Sequence, residues 1–187
     1  MSRLLRAGTL TGTPVVTLAG ESPLEVKDVV FGPDSGEILG FTLRKHGFLG
    51  GPVGDVLLWK GVHGLGPDAV VVADEDVFGP GADLDGGRGD VLGAEVLTES
   101  GSVIGEVVEA IVQVGRAQAD VVGFEIEPAE EFAGGGDRHV FLPLPDTLAV
   151  SGARVIVPDG ATSYIRDDLA GFGSAVDEFR DQLGEDA

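Results

Sequence analysis

Arg44-Lys45-His46 and the acidic set Glu127, Glu130 and Glu131 are the residues best suited by type and spacing to do chemistry, each set following a Gly-Phe segment. Opposite charges at matching positions suit complementary docking, within one chain or between two. Ordinary solvated strand ends carry the same pattern. Catalysis needs a nucleophile, a base and an orienting group, or metal ligands at fixed spacing. His46, His63 and His139 lie on three separate segments without such spacing. The densest titratable cluster, Glu130-Glu131 with Asp137 and His139, sits in EPAEEFAGGGDRH, which reads as a solvated hairpin loop. Cysteine is absent, which excludes disulfides and thiolate chemistry. The sequence holds no nucleophile elbow, phosphate loop or dinucleotide fingerprint. A calcium loop starting at Asp83 would place Arg88 and Ala94 where Gly and Glu are required. The expectation is a non-enzyme without cofactor or metal. Trp59, the single tryptophan, is a core anchor or, in the alternative, an exposed interface anchor.

The elements that position these residues are written twice. SGEILGFTLRK (Ser35–Lys45) and QADVVGFEIEP (Gln118–Pro128) both place Gly-Phe between aliphatic residues. Upstream, Gly12–Phe31 lies over Gly93–Val112 with Gly12/Gly93, Thr17/Thr98, Gly20/Gly101, Glu25/Glu106 and Val26/Val107 identical. Downstream, LGPDAVVVADE (Leu65–Glu75) lies over VSGARVIVPDG (Val150–Gly160). The offset grows from 81 to 83 to 85 at places where loops belong, as expected of a duplicated unit. Period-2 alternation puts Leu39, Phe41 and Leu43 on one strand face, and Val122, Phe124 and Ile126 on its counterpart. Gly40 and Gly123 fall mid-strand, where glycine marks a bend or a close backbone approach. Each unit holds five or six short strands in about 65–70 residues, too few for an immunoglobulin-size sandwich. The fold expected is mostly β, two tandem small barrels with a short C-terminal helix.

VKDVVFGPDSGEILGFTL followed by VLLWKGVHGLGPDAVVV resembles the PRC-barrel, the family of the photosynthetic reaction-centre H subunit's cytoplasmic part and of the 16S rRNA processing factor's C-terminal domain. The residues that carry the resemblance are Asp28, Asp34, Gly36, Gly40, Leu65, Gly66, Asp68 and Ala69. The second copy departs from the pattern at its hairpin turn, QVGRAQAD, and at Ser151–Arg154. The resemblance implies a binding module without a shared enzymatic site.

Boundaries follow from composition. Residues 8–76 form the first unit, 77–90 an acidic, glycine-rich flexible linker, 91–162 the second unit, and 163–187 an acidic amphipathic tail. In that tail, Leu169, Phe172, Val176, Phe179 and Leu183 are spaced as a helix seam. The face made by Phe172, Val176, Phe179 and Leu183 packs on its own unit or docks a partner, and Ser174 is a candidate N-cap.

Charge narrows the partners. Residues 1–73 hold six Lys/Arg against seven Asp/Glu, and residues 74–187 hold six against twenty-five. Such a field repels phosphate backbones, so direct nucleic-acid binding is not expected. No apolar run approaches the length of a bilayer span, and the start MSRLLRAGTL lacks an apolar signal core. A cytoplasmic protein without membrane insertion is the expectation. The function read from these features is an adaptor or assembly factor that binds a protein partner, basic in charge, or a second copy as a homodimer. The alternatives are an accessory factor in ribosome assembly or RNA processing acting through a basic protein, and a small-ligand barrel or hydrolase.

Overall fold

The computed structural model describes residues 3–32, 36–47, 50–84, 91–115, 118–133, 138–144, 149–151 and 154–185. The first part of the chain supplies β1 (Arg3–Arg6), β2 (Pro14–Thr17), β3 (Leu24–Phe31), β4 (Ile38–Lys45), β5 (Pro52–Leu58), β6 (Val62–Leu65), β7 (Val70–Val72) and β8 (Phe78–Pro80). The second supplies β9 (Glu95–Thr98), β10 (Val103–Val114), β11 (Ala119–Pro128), β12 (Val140–Pro143), β13 (Ala149–Ser151) and β14 (Arg154–Val157), followed by α1 (Leu169–Glu185). The chain is mostly β with a C-terminal helix, as its pattern predicts. The strands form two sheets, ordered β6-β7-β2-β3-β4-β5-β8 and β12-β11-β10-β9-β14-β13. One sheet curls into a half-barrel. Among the described residues no ladder joins the outer strands of either sheet.

The duplication holds at the level of register. Glu25↔Arg44, Val26↔Leu43, Val29↔Phe41 and Val30↔Gly40 in β3–β4 recur as Glu106↔Glu127, Val107↔Ile126, Ala110↔Phe124 and Ile111↔Gly123 in β10–β11. Both hairpins shift register after Val26 and Val107, a bulge that bends the strands. The parallel pair Val15↔Val70 recurs as Val96↔Val155. The identities between the copies have local causes. Gly12 and Gly93 take φ values of 80° and 77°, a left-handed conformation that β-carbons disfavour. Thr17 and Thr98 accept the amides of Glu21 and Ser102 through their hydroxyls and close the same turn. A β-carbon at Gly40 would strike the Leu57 carbonyl, the close strand approach expected of a mid-strand glycine.

Strand pairing reaches past both ends of residues 8–76. β1 lies before the first unit's expected start, yet it pairs antiparallel with β10 of the second, Arg3↔Val114 through Arg6↔Ile111. One apolar core therefore runs through both units, from Leu10, Val15 and Phe41 to Val96, Phe124 and Ile126. The expected linker is ordered at its start: β8 pairs with β5 and a 3₁₀ turn follows at Gly81–Leu84. Phe78 packs on the core, which is why this acidic stretch does not behave as a solvated chain. Residues 85–90 of that linker lie outside the described residues.

α1 begins five residues before Ser174, because the Asp168 carboxylate accepts the Gly171 amide at 2.6 Å and caps the first turn. Phe172 and Val176 pack with Ile111, Val122 and Phe141 on the second sheet, and Phe179 stacks at 5.1 Å on Tyr164. Burying each of these side chains contributes about 1.5–3 kcal/mol relative to exposure. The Leu183 side chain lies outside the described residues. A β-carbon at Gly123 would collide with the Phe172 ring and the Leu142 carbonyl. Gly123→Ala is expected to destabilise the protein by about 1–3 kcal/mol in urea unfolding followed by far-UV circular dichroism; an unchanged midpoint would mean that α1 does not seat on Gly123.

Candidate partner-binding face

The outer face of the second sheet is where strand register brings the polar residues together. Residues directly opposite one another on neighbouring strands share a face. Arg154↔Glu95, Glu95↔Glu106 and Glu106↔Glu127 thus form one row across β14, β9, β10 and β11. Glu106 and Glu127 are exposed, as are Glu130 and Glu131 in the 3₁₀ turn after β11. Only Glu95 in the row has a cationic partner among the described residues, the Arg154 Nε at 3.2 Å. Further along the same strands, Ile156↔Leu97 and Leu97↔Val103 make an apolar row. Val103 is 43% exposed and Ile156 37%.

The first unit carries the corresponding row in a neutralised form. Arg44 Nε stands 2.5 Å from Glu25 Oε1, a close ionic contact whose N–H is not aligned as a hydrogen bond. His46 Nδ1 lies 3.7 Å from Glu25 Oε2. The Glu25 side chain is only 9% exposed, shielded by its own hairpin partner. Lys45 is exposed at the strand end. The cationic triplet therefore does not reach Glu127, Glu130 or Glu131 within the chain, because Arg44 and His46 are turned onto the nearer Glu25. Trp59 is half-buried on the 3₁₀ turn Trp59–Gly61, its ring tilted 6.5 Å from Phe41. It packs against the core. Phe172, Val176 and Phe179 are buried within the chain.

Sequence reasoning missed Arg6. On β1, its Nε–H donates to Glu125 Oε2 at 2.6 Å, and its guanidinium lies 5.6 Å from the Phe141 ring centroid. His139 Nδ1 lies 3.3 Å from the other Glu125 oxygen. The hydrogen bond to Glu125, and the negative charge of Glu125 and Glu109, raise the Arg6 pKa and keep it charged. Nothing local signals this pair, since 119 positions separate the partners. Arg6→Ala is expected to cost about 1–2 kcal/mol in chemical denaturation, with Arg6→Lys recovering part of it. Combining Arg6→Ala with Glu125→Gln should cost less than the sum of the two, since each removes the other's partner; full additivity would break the coupling.

A cleft of about 160 Å³ lies where the units meet, lined among others by Gly8, Asp28, Phe31, Leu92 and Glu109. Both carboxylates already have partners. Glu109 Oε1 accepts the amides of Gly8 and Ala110, at 3.1 and 2.9 Å. Asp28 Oδ2 accepts Lys27 Nζ at 2.8 Å and the Thr42 hydroxyl at 3.0 Å, and the Lys27 bond chiefly holds the Asp28 pKa below its usual value. No group of three or more metal-ligating side chains occurs among the described residues. A lowered folded pKa means that Asp28 stabilises the fold fully above about pH 4 and loses that contribution as pH falls through the folded value. Asp28→Asn should therefore lower the urea midpoint at pH 7 and narrow its gap to wild type on acidification towards about pH 2.5; a gap constant with pH would refute this.

Compared with models of protein families and with curated proteins, the chain matches none. Among the described residues, no helix is long and apolar enough to cross a membrane.

Proposed function

We propose that the protein is a non-catalytic protein-binding module, an adaptor or assembly factor, built from two PRC-barrel-like units and recruiting a basic protein through its second unit. The observation that carries this reading is charge without compensation: Glu106, Glu127, Glu130 and Glu131 are exposed and make no ion pair among the described residues. Such a surface speeds encounter with cationic partners and repels anionic ones. The PRC-barrel reading is supported by the repeated strand order and by Gly40 at a close strand approach. It is supported too by the turn in which the Gly66 amide donates to the Ala69 carbonyl. An accessory role in ribosome assembly or RNA processing is one form of the same reading, with a basic protein standing between this chain and RNA.

Affinity capture of the intact protein from its native lysate, at low and at high salt, tests the proposal. The expected result is enrichment of a basic protein that is lost as ionic strength rises and screens exposed charges. Enrichment of acidic partners only, or of none, would overturn it.

A further inference from the structure

The basic-partner reading leaves open which surface binds and what shape it accepts. The outer face of the second sheet answers both. Glu95, Glu106 and Glu127 stand side by side across three strands, with Leu97, Val103 and Ile156 in a parallel apolar row. Like charges directly opposite one another destabilise a sheet. In the first unit this row reads Pro14, Glu25 and Arg44, and Arg44 cancels the one carboxylate. The second unit has Glu95 in place of the proline and Glu127 in place of the arginine. In the second copy Arg154 pairs with Glu95, and Glu106 and Glu127 are left without a cationic partner among the described residues.

We infer that this face docks a basic amphipathic helix of a protein partner. Neighbouring strands lie about 4.8 Å apart, close to the about 5.4 Å rise of one helical turn. A helix laid across β9, β10 and β11 therefore brings one Lys or Arg per turn over Glu106 and Glu127, beside the Glu95–Arg154 pair. Its apolar stripe falls on Leu97, Val103 and Ile156, of which Val103 and Ile156 are exposed in the free protein. The same outer face already receives one helix in cis: α1 sits further along β10 and β11, on Ile111 and Val122, with Gly123 opened for the Phe172 ring. The docked helix lies beyond the Arg6–Glu125–His139 group, which separates it from α1.

The test uses the full-length protein and a labelled 18-residue helical peptide with one lysine per turn on one stripe and leucines on the adjacent stripe. A scrambled peptide of equal composition is the control, and binding is read by fluorescence anisotropy. The expected result is binding of the patterned peptide at least about tenfold tighter than of the scrambled one. Glu127→Arg, which restores the first unit's arrangement, should weaken it by at least about tenfold while raising the melting temperature by about 1–3 °C. A loss of binding in a variant that is more stable cannot come from misfolding. Ile156→Ser should weaken binding several-fold, and Glu21→Arg, the same charge change on the exposed surface of the first unit, should leave it unchanged. Equal loss in Glu21→Arg and Glu127→Arg would overturn this face while leaving the basic-partner reading intact. Failure of the wild type to prefer the patterned peptide overturns the helix inference, and the capture experiment then decides the broader reading by itself.

Discussion

Phe41 and Phe124 sit fully enclosed at the centres of two bulged hairpins, and the rest of the protein is arranged around keeping them there. Each hairpin must hold its register, because a slip of one residue would turn the phenylalanine and its aliphatic neighbours towards water. The bulge after Val26 and Val107 bends the strands so that β2 and β9 can pair across them. Gly40 then lets the third strand approach, and Gly123 does so while also making room for a helix. Once these hairpins are set, the parallel pairs β2–β7 and β9–β14 complete the two sheets.

The two copies use this shared frame differently. The first keeps its outer row neutral by setting Arg44 against Glu25 and packs Trp59 at the core margin. The second divides its outer face into three regions. One end is closed by α1, and the middle is held by β1, whose Arg6 ties Glu125 and Phe141 to the start of the chain. The other end is left acidic and apolar in adjacent rows. Duplication supplies the comparison that makes the second face legible: the same backbone positions, with the compensating charge removed.

The units are not independent bodies joined by a tether. β1 precedes the first unit in sequence and completes the second sheet, the Val121 amide donates to the Gly36 carbonyl, and the apolar core is continuous. The surface of the second unit therefore draws its stability from both copies.

The sequence by itself determined whatever depends on near neighbours. Alternation placed Phe41 and Phe124 inside, the matched glycines and threonines marked the repeated turns, and the seam at Phe172, Val176 and Phe179 marked a helix. These features rest on backbone sterics and side-chain period, which act over a few residues. Opposite charge after the Gly-Phe strands was legible as well, but its meaning was not. Only the tertiary structure decided that Arg44 spends its charge on Glu25, that β1 crosses to β10, and that Glu95, Glu106 and Glu127 fall in one row. Those outcomes depend on which strands pair and in what register, between residues from 11 to more than 100 positions apart. No local period encodes that choice; burying one core common to both copies does.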